Sequence, residues 1–521
     1  MTQLKVAIVG AGVAGSYCSY RLTHCPEQPY SSSLITLFEA TDRIGGRLYS
    51  HFFDDVPGIP AELGGMYINS LDRHIYPLAS KVLKMRLARI TQAGHGFYYL
   101  RQHQLTTEDF VNGELPYTDI QPPYLNQPPA GILLNLLWQI LPELKTFFPV
   151  TAENITGLQT LLSQSKVNDL LLSQQGFYNL ACQFANSEVI SILTHALGAT
   201  TLMSNQNAAD QIFNLLREMS GQYFKPLDGY QQLPEKLVQA FQQQGGNLAT
   251  QHALSEIHLP DHDCPLFKLK FTIPNTGITT VYAEKLILGL PQNALKKVAL
   301  YQNSQLINWP LCINAVSSAR ATKVFTTYPT PWWQQIKNGP GHVTENSQTE
   351  SLTDLPANLI GYIGSQNFAE NSPAVLMAAY ADGSASSFWS GYLPSQRLYS
   401  CLGDADFPAG SEPLTPQPAP EPLLRELQIQ LSKLHQYPVP PPAQHIFIDW
   451  AMAPYGGAWH SWNPCFDSSN ISQQMLQPFA GQALYVAGES FAQIQGWAEG
   501  AAETAEQLMQ SRFGLAAPDW L

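Results

Sequence analysis

Gly10-Ala11-Gly12-Val13-Ala14-Gly15 stands between an apolar run at residues 5–9 and a helical pattern at 15–22. A strand-to-helix turn of this kind lets backbone approach a pyrophosphate. Gly10 permits the tight turn, Gly12 admits the phosphates, and Gly15 lets helix and strand pack closely. The helix start offers free N–H groups and a positive dipole end to an anion. A second apolar strand at 34–38 ends in Glu39, 24 residues after Gly15, where a carboxylate can accept ribose hydroxyls. Strand, glycines, helix, strand and acid, in that order, predict a Rossmann-type nucleotide-binding unit in an α/β fold.

Arg43-Ile44-Gly45-Gly46-Arg47 adds two glycines for close approach and two guanidinium groups for phosphate or ring contacts. With this segment the sequence resembles the flavin amine oxidase family, which includes monoamine, polyamine and L-amino-acid oxidases. It looks most like the bacterial L-amino-acid oxidases. The resemblance implies FAD as cofactor.

Length and composition frame the reading. The 521 residues exceed one ordinary core, and charged residues are only 13% against the ~25% typical of soluble domains, so disorder is excluded. A formal charge of −13 disfavours a nucleic-acid partner. Seven cysteines, at 18, 25, 182, 264, 312, 401 and 465, show no paired spacing. Together with a first strand that begins almost at once, leaving no room for a signal peptide, they predict a reducing, cytoplasmic setting. Residues 131–141 are apolar but too short to span a bilayer, and a buried or lid helix is expected there rather than a membrane anchor. A homodimer is the expected assembly.

Nucleotide signals recur near the start, in the middle and at the end, so one domain is assembled from separate segments. The expected FAD-binding domain comprises residues 1–70, 225–299 and 445–521. A helical insert at 71–224 and a mixed-sheet insert at 300–444 would form the substrate domain. In the middle piece, a turn at Asp228-Gly229-Tyr230 leads into a helix at 235–243, strand-like residues 247–258, a hairpin at 266–273 and 279–282, and a buried strand at 285–289 closed by Pro291. The resemblance makes Ala253 or Leu254 the backbone contact to adenine. Prolines at 413–422 and 438–442 read as stiff connectors.

Residues 483–507, ALYVAGESFAQIQGWAEGAAETAEQ, read as strand, turn and helix. Gly488 and Glu489 follow the strand, so Glu489 is expected to accept a ribityl hydroxyl. Trp497 opens a helix whose N–H groups would face the flavin ring, where negative charge builds on reduction. Tyr455-Gly456-Gly457-Ala458-Trp459-His460 resembles the family segment that places an aromatic ring beside the flavin. Trp459 takes the tyrosine position and Ala458 that of the cysteine which binds flavin covalently in monoamine oxidases. Ala458 offers no thioether, so FAD is expected to be non-covalent. Trp459 and Trp497 would form two walls of an aromatic cage around the substrate nitrogen. His460 is either a proton relay or a packed histidine.

Lys323 lies on a predicted strand followed by Trp332-Trp333, and the resemblance gives it a water-mediated bond to flavin N5. Ala61-Glu62-Leu63-Gly64-Gly65-Met66-Tyr67 is where the family sets its substrate. Gly64 and Gly65 would lie under the isoalloxazine. Tyr67 replaces an arginine that clamps a carboxylate in L-amino-acid oxidases. Arg73, Arg86 or the Tyr67 hydroxyl remain as alternatives. No His/Cys/Asp cluster has metal-ligand spacing, and no nucleoside-triphosphatase loop or serine elbow occurs. The implied reaction is hydride transfer from the α-carbon to flavin N5, imine hydrolysis to a 2-oxo acid and ammonia, and reoxidation by oxygen to hydrogen peroxide. Oxidation of amines or polyamines is the alternative.

Overall fold

The computed structural model describes residues 3–27, 30–262, 264–336, 340, 343–344, 346–365, 371–393, 416–452 and 456–521. Tyr455, Cys401 and Pro413 lie outside them. Two sheets organise the chain.

The first sheet has nine strands. Gln3–Val9 pairs in parallel with Ile35–Phe38 on one side and Gly277–Leu288 on the other, and Asn247–Ala249 extends the parallel edge. Its interior strands are apolar on both faces: Val6, Ile8 and Ile35 pack on the helices Val13–Thr23, Gln232–Gln243 and Ala498–Phe513, and Ala7, Val9 and Phe38 pack with Ile257, Leu269 and Phe271 of the sheet's antiparallel strands. The expected hairpin strand and buried strand are one element, Gly277–Leu288. Its first half pairs with Phe267–Ile273, and its second half pairs with Leu484–Val486. Segments from the start, middle and end of the chain thus converge in one sheet.

The helices Val13–Thr23 and Ala498–Phe513 pack against each other beside this sheet. Arg21 Nε and Glu506 Oε2 lie 2.7 Å apart, each side chain 2% exposed, and the Tyr17 hydroxyl donates to the same oxygen at 2.9 Å. A buried pair this well satisfied fixes register between the first and last long helices, because losing either partner strands a charge in the core.

The second sheet has seven strands, in the order His445–Asp449, Ala321–Tyr328, Ala374–Asp382, Leu359–Ser365, Ser347–Thr353, Gln92–Leu100 and His103–Leu105. This corrects the expected segment boundaries. Strands at 92–105 interrupt the insert that was read as helical, because the Phe97-Tyr98-Tyr99 run suits a buried strand. His445–Asp449 belongs to the second sheet, and Ala299–Gln302 with Gln305–Ile307 extends the first. The remainder of that insert contains the helices Pro129–Ile140, Ser187–His195 and Ala208–Glu218. Pro129–Ile140 buries Ile132, Leu133, Leu136, Leu137 and Ile140, so residues 131–141 are core. Among the described residues, no helix is long and apolar enough to cross a membrane.

Candidate functional site

The glycine turn is as tight as its sequence implies. Gly10 has φ +98°, and a Cβ on Gly15 would stand 1.9 Å from the Gly10 carbonyl oxygen. Gly12 differs: the nearest atom to its would-be Cβ is Gly46 Cα at 3.7 Å, so the two glycine loops meet backbone to backbone. The Gly45 N–H to Ala11 carbonyl bond, 2.9 Å, joins those loops. Glu39 accepts from the Ala11 N–H (2.8 Å) on Oε2 and from Thr41 N–H and hydroxyl on Oε1, so one acceptor position remains on Oε2. Its main chain bonds to Ala249 and His252, bringing Leu254 into the same corner. The ladder from Leu254's strand to Ala299–Gln302 begins only at Glu256, which frees the outer backbone edge of Ala253 and Leu254.

Two sequence expectations meet a different arrangement. Arg43 gives its guanidinium to the carbonyls of Ile44, Gly46 and Leu48 and stacks 3.9 Å from the Tyr49 ring centre, so it shapes its own loop. Glu489 Oε1 accepts from the main-chain N–H groups of His460 and Gly496, both at 2.8 Å. Its Oε2 accepts from Arg47 Nη1 at 2.6 Å and pairs with His460 Nδ1 at 2.8 Å. Four partners fill the acceptor positions expected for a ribityl hydroxyl. Burial alone would raise the Glu489 carboxyl, but Arg47 and His460 hold it well below the ordinary carboxylate range. Glu489 thus ties together the 47, 460 and 496 segments, and His460 is a packed residue hydrogen-bonded to it. Gly488 beside it borders open space, with nothing nearer to its would-be Cβ than Leu290 O at 3.8 Å.

Lys323 sits on Ala321–Tyr328, a strand buried at every position. Its Nζ donates to the carbonyls of Gly64 (2.6 Å) and Glu62 (3.0 Å) and lies 4.7 Å from the Tyr380 ring centre. Two of the amine's donors are therefore spent on the Glu62–Gly64 backbone, beside the exposed Gly65. Burial pulls the Lys323 ammonium down to about 7, against the attraction of Glu62 and Glu350. Burial likewise lifts the Glu62 carboxyl to about 7, although Tyr230 N–H and the Ser50 hydroxyl bond to it. Strand register puts Lys323 opposite Tyr380, and Glu350 opposite Gly361, which pairs with Met377. Tyr380 and Met377 both join the core that faces the helical insert, so Lys323, Tyr380 and Glu350 share that face. Trp332 and Trp333, in contrast, pack on the other face with Tyr328, Tyr362 and Leu431, away from the lysine.

The opposing wall is aromatic. Tyr67 meets Tyr223 edge-on at 6.4 Å, and Tyr223 lies 5.9 Å from Trp497. Trp497 is the N-cap of Ala498–Phe513. Trp459 packs over Gly496, the residue before it, with its Cβ 3.9 Å from that glycine's would-be Cβ. The structure thus brings Trp459, Trp497 and Tyr67 into one region. Trp497 Nε1 donates to Glu218 Oε1 at 2.8 Å, and the Arg217 guanidinium lies 5.8 Å from the indole centre. Below them, Arg217 pairs with buried Asp72, and Glu499 accepts from His74 and Ile75. Glu503, one turn further along the helix, keeps one buried oxygen without a partner. Neither alternative arginine enters this wall: Arg73 is exposed and Arg86 forms a surface pair with Asp228.

Tyr223, Tyr380, Glu218 and Glu350 were missed by sequence reasoning. Each lies in an insert, outside any local pattern, and only tertiary packing assembles them. Glu62 stood inside the quoted motif without a role.

A flavin dinucleotide suits these residues: Gly488 borders open space, and the glycine backbones at 12 and 46 carry no side chain to exclude it. Among the described residues, no group of three His, Cys, Asp or Glu could hold a metal ion.

Comparison with known proteins agrees with this geometry. Residues 34–507 match the family described as flavin containing amine oxidoreductase. Aplysianin-A of Aplysia kurodai is 26% identical, over 98% of this chain and 90% of its own. The L-amino-acid oxidase of Mus musculus is 23% identical, over 77% of this chain and 57% of its own. Among solved structures, putrescine oxidase bound to putrescine aligns with a TM-score of 0.63 at 13% identity, over 98% of this chain and 99% of that one. The fold is thus that of the flavin amine oxidases, its cofactor is a flavin, and the chain belongs to the flavin-containing amine oxidoreductase family.

Proposed function

We propose that this protein is an FAD-dependent oxidase of L-amino acids. The observation that carries the reading is the bonding of Lys323 to the Glu62 and Gly64 carbonyls, just before Tyr67 of the row Tyr67, Tyr223 and Trp497. Bound flavin supplies the hydride acceptor. The protein's part is to desolvate a neutral substrate nitrogen between aromatic faces and to hold its α-carbon toward the ring. Lys323, with a pKa near neutrality, manages protons beside it. The resemblance of most of the chain to a mouse L-amino-acid oxidase supports the choice of substrate.

In this reading, Gly10, Gly12, Gly15, Glu39 and Leu254 receive the ADP half of the cofactor. Arg47, Gly64, Gly65, Gly488 and Trp497 surround the flavin half, with Glu489 orienting Arg47. Residues 1–70, 225–299 and most of 445–521 form the cofactor domain, and the inserts form the substrate domain. Ala458 has no thiol, so FAD is held without a covalent bond and leaves on denaturation. Oxygen reoxidises the flavin, giving hydrogen peroxide, and the imine hydrolyses to a 2-oxo acid and ammonia. The six described cysteines form no disulfide among the described residues, which supports a reducing, cytoplasmic location. A homodimer belongs to the same reading and is tested by sedimentation.

A second reading, oxidation of simple amines or diamines, is favoured by one observation: Tyr67 stands where a carboxylate-clamping guanidinium would be needed. Anaerobic mixing with amino acids and amines separates the two. Bleaching of the flavin by carboxylated substrates supports the first, bleaching by amines alone the second, and bleaching by neither removes both.

A further inference from the structure

The charge balance of the substrate wall points beyond the identity of the reacting nitrogen. Glu218 is half-buried at the end of Ala208–Glu218 and gives one oxygen to Trp497 Nε1. Its other oxygen receives no donor among the described residues. The Tyr223 hydroxyl donates to Glu218's main-chain carbonyl at 2.6 Å, so the residue is fixed behind the two rings that form the wall. Arg217, the adjacent cation, is committed to Asp72, each side chain 1% exposed. Burial raises the Tyr380 hydroxyl, and Asp382, Glu218 and Glu350 add to the rise. Lys323, the cation projecting from that side, is already bonded to two carbonyls.

We infer that Glu218 is a specificity-determining residue, selecting substrates that carry a second, positively charged group beyond the nitrogen to be oxidised. The inference rests on carbon–nitrogen oxidation at this site and holds for either a basic amino acid or a diamine. In a partly dry pocket, a guanidinium or ammonium forms a charge-assisted bond to the open Glu218 oxygen. A neutral tail leaves that oxygen poorly solvated, and an acidic tail is repelled by it. Tyr67 adds no charge to oppose this preference.

The test is calorimetric and needs no turnover. Butylguanidine and its uncharged isostere butylurea are titrated into the flavin-loaded protein. The cation should bind about 10- to 100-fold more tightly. Glu218→Gln, which keeps an acceptor for Trp497, should erase most of that ratio. Equal binding of the two ligands by the native protein overturns the inference, as does a ratio unchanged in Glu218→Gln. Neither result touches the oxidase reading, which fails only if no amino acid or amine bleaches the flavin.

Discussion

The two sheets build their halves of the site from different materials. The nine-stranded sheet presents backbone: Gly12 against Gly46, and Gly488 beside open space, with Glu39 locked by three protein donors. The seven-stranded sheet presents side chains, with Lys323, Tyr380 and Glu350 on one face opposite Tyr67, Tyr223 and Trp497. A backbone surface suits what every dinucleotide shares, whereas a side-chain surface can be re-cut for each substrate. Changes in the first half should therefore be lost outright, and changes in the second should alter rates and preferences.

Gly15→Val makes the largest demand on that distinction. Any Cβ at Gly15 collides with the Gly10 carbonyl, so the variant should lose more than about 4 kcal/mol of stability and all bound flavin. Thermal unfolding and visible absorbance measure both, and a yellow variant of native Tm would show that the turn yields. Lys323→Met should keep FAD yet slow flavin turnover about 10²- to 10⁴-fold in stopped-flow traces. An undiminished rate would reduce the lysine to packing.

Glu489→Ala should cost about 3 to 5 kcal/mol, because it leaves Arg47 and His460 without their carboxylate. Glu489's depressed pKa also means that its contribution is present above the unfolded value of about 4.5 and disappears as acid titrates it below that. Glu503 has the opposite sign. Burial, with Glu499 nearby, lifts its carboxyl to about 7, so the folded chain keeps a proton that the unfolded chain has released. Stability then falls as pH rises from 4.5 to 7. Glu503→Gln should flatten that part of the Tm profile, and an unaltered profile would mean that Glu503 ionises freely. The smallest effect belongs to Tyr67→Phe. It retains the edge-on contact with Tyr223, so substrate KM should move less than about tenfold in steady-state assays. A larger rise confined to carboxylated substrates would make the hydroxyl a substrate ligand.

The same contrast governs what could be read in advance. Gly10, Gly12, Gly15 and Glu39 are close in sequence and act through φ values and bare backbone, which a linear pattern records. The three-segment assembly of the first sheet was legible for that reason. Lys323 and the tryptophans were found through family resemblance. Glu218 and Glu350 come from segments far apart in the chain, and nothing local marks either. Glu489 shows the converse: its position after a strand was plain, but its four partners come from the 47, 460 and 496 segments and reassign its carboxylate. Likewise, 92–105 looked helical by association with its neighbours, until pairing with Ser347–Thr353 drew it into a sheet.

The clasp between Arg21 and Glu506 has a consequence for biosynthesis. Gln3–Val9 leaves the ribosome first, but its neighbour Gly277–Leu288 arrives much later, and Leu484–Val486 and Glu506 later still. The amino-terminal strand and helix must therefore wait, apolar and unpaired, through most of translation. If cofactor capture waits for Leu484–Val486, shielding of Gln3–Val9 until then should raise the yield of folded protein.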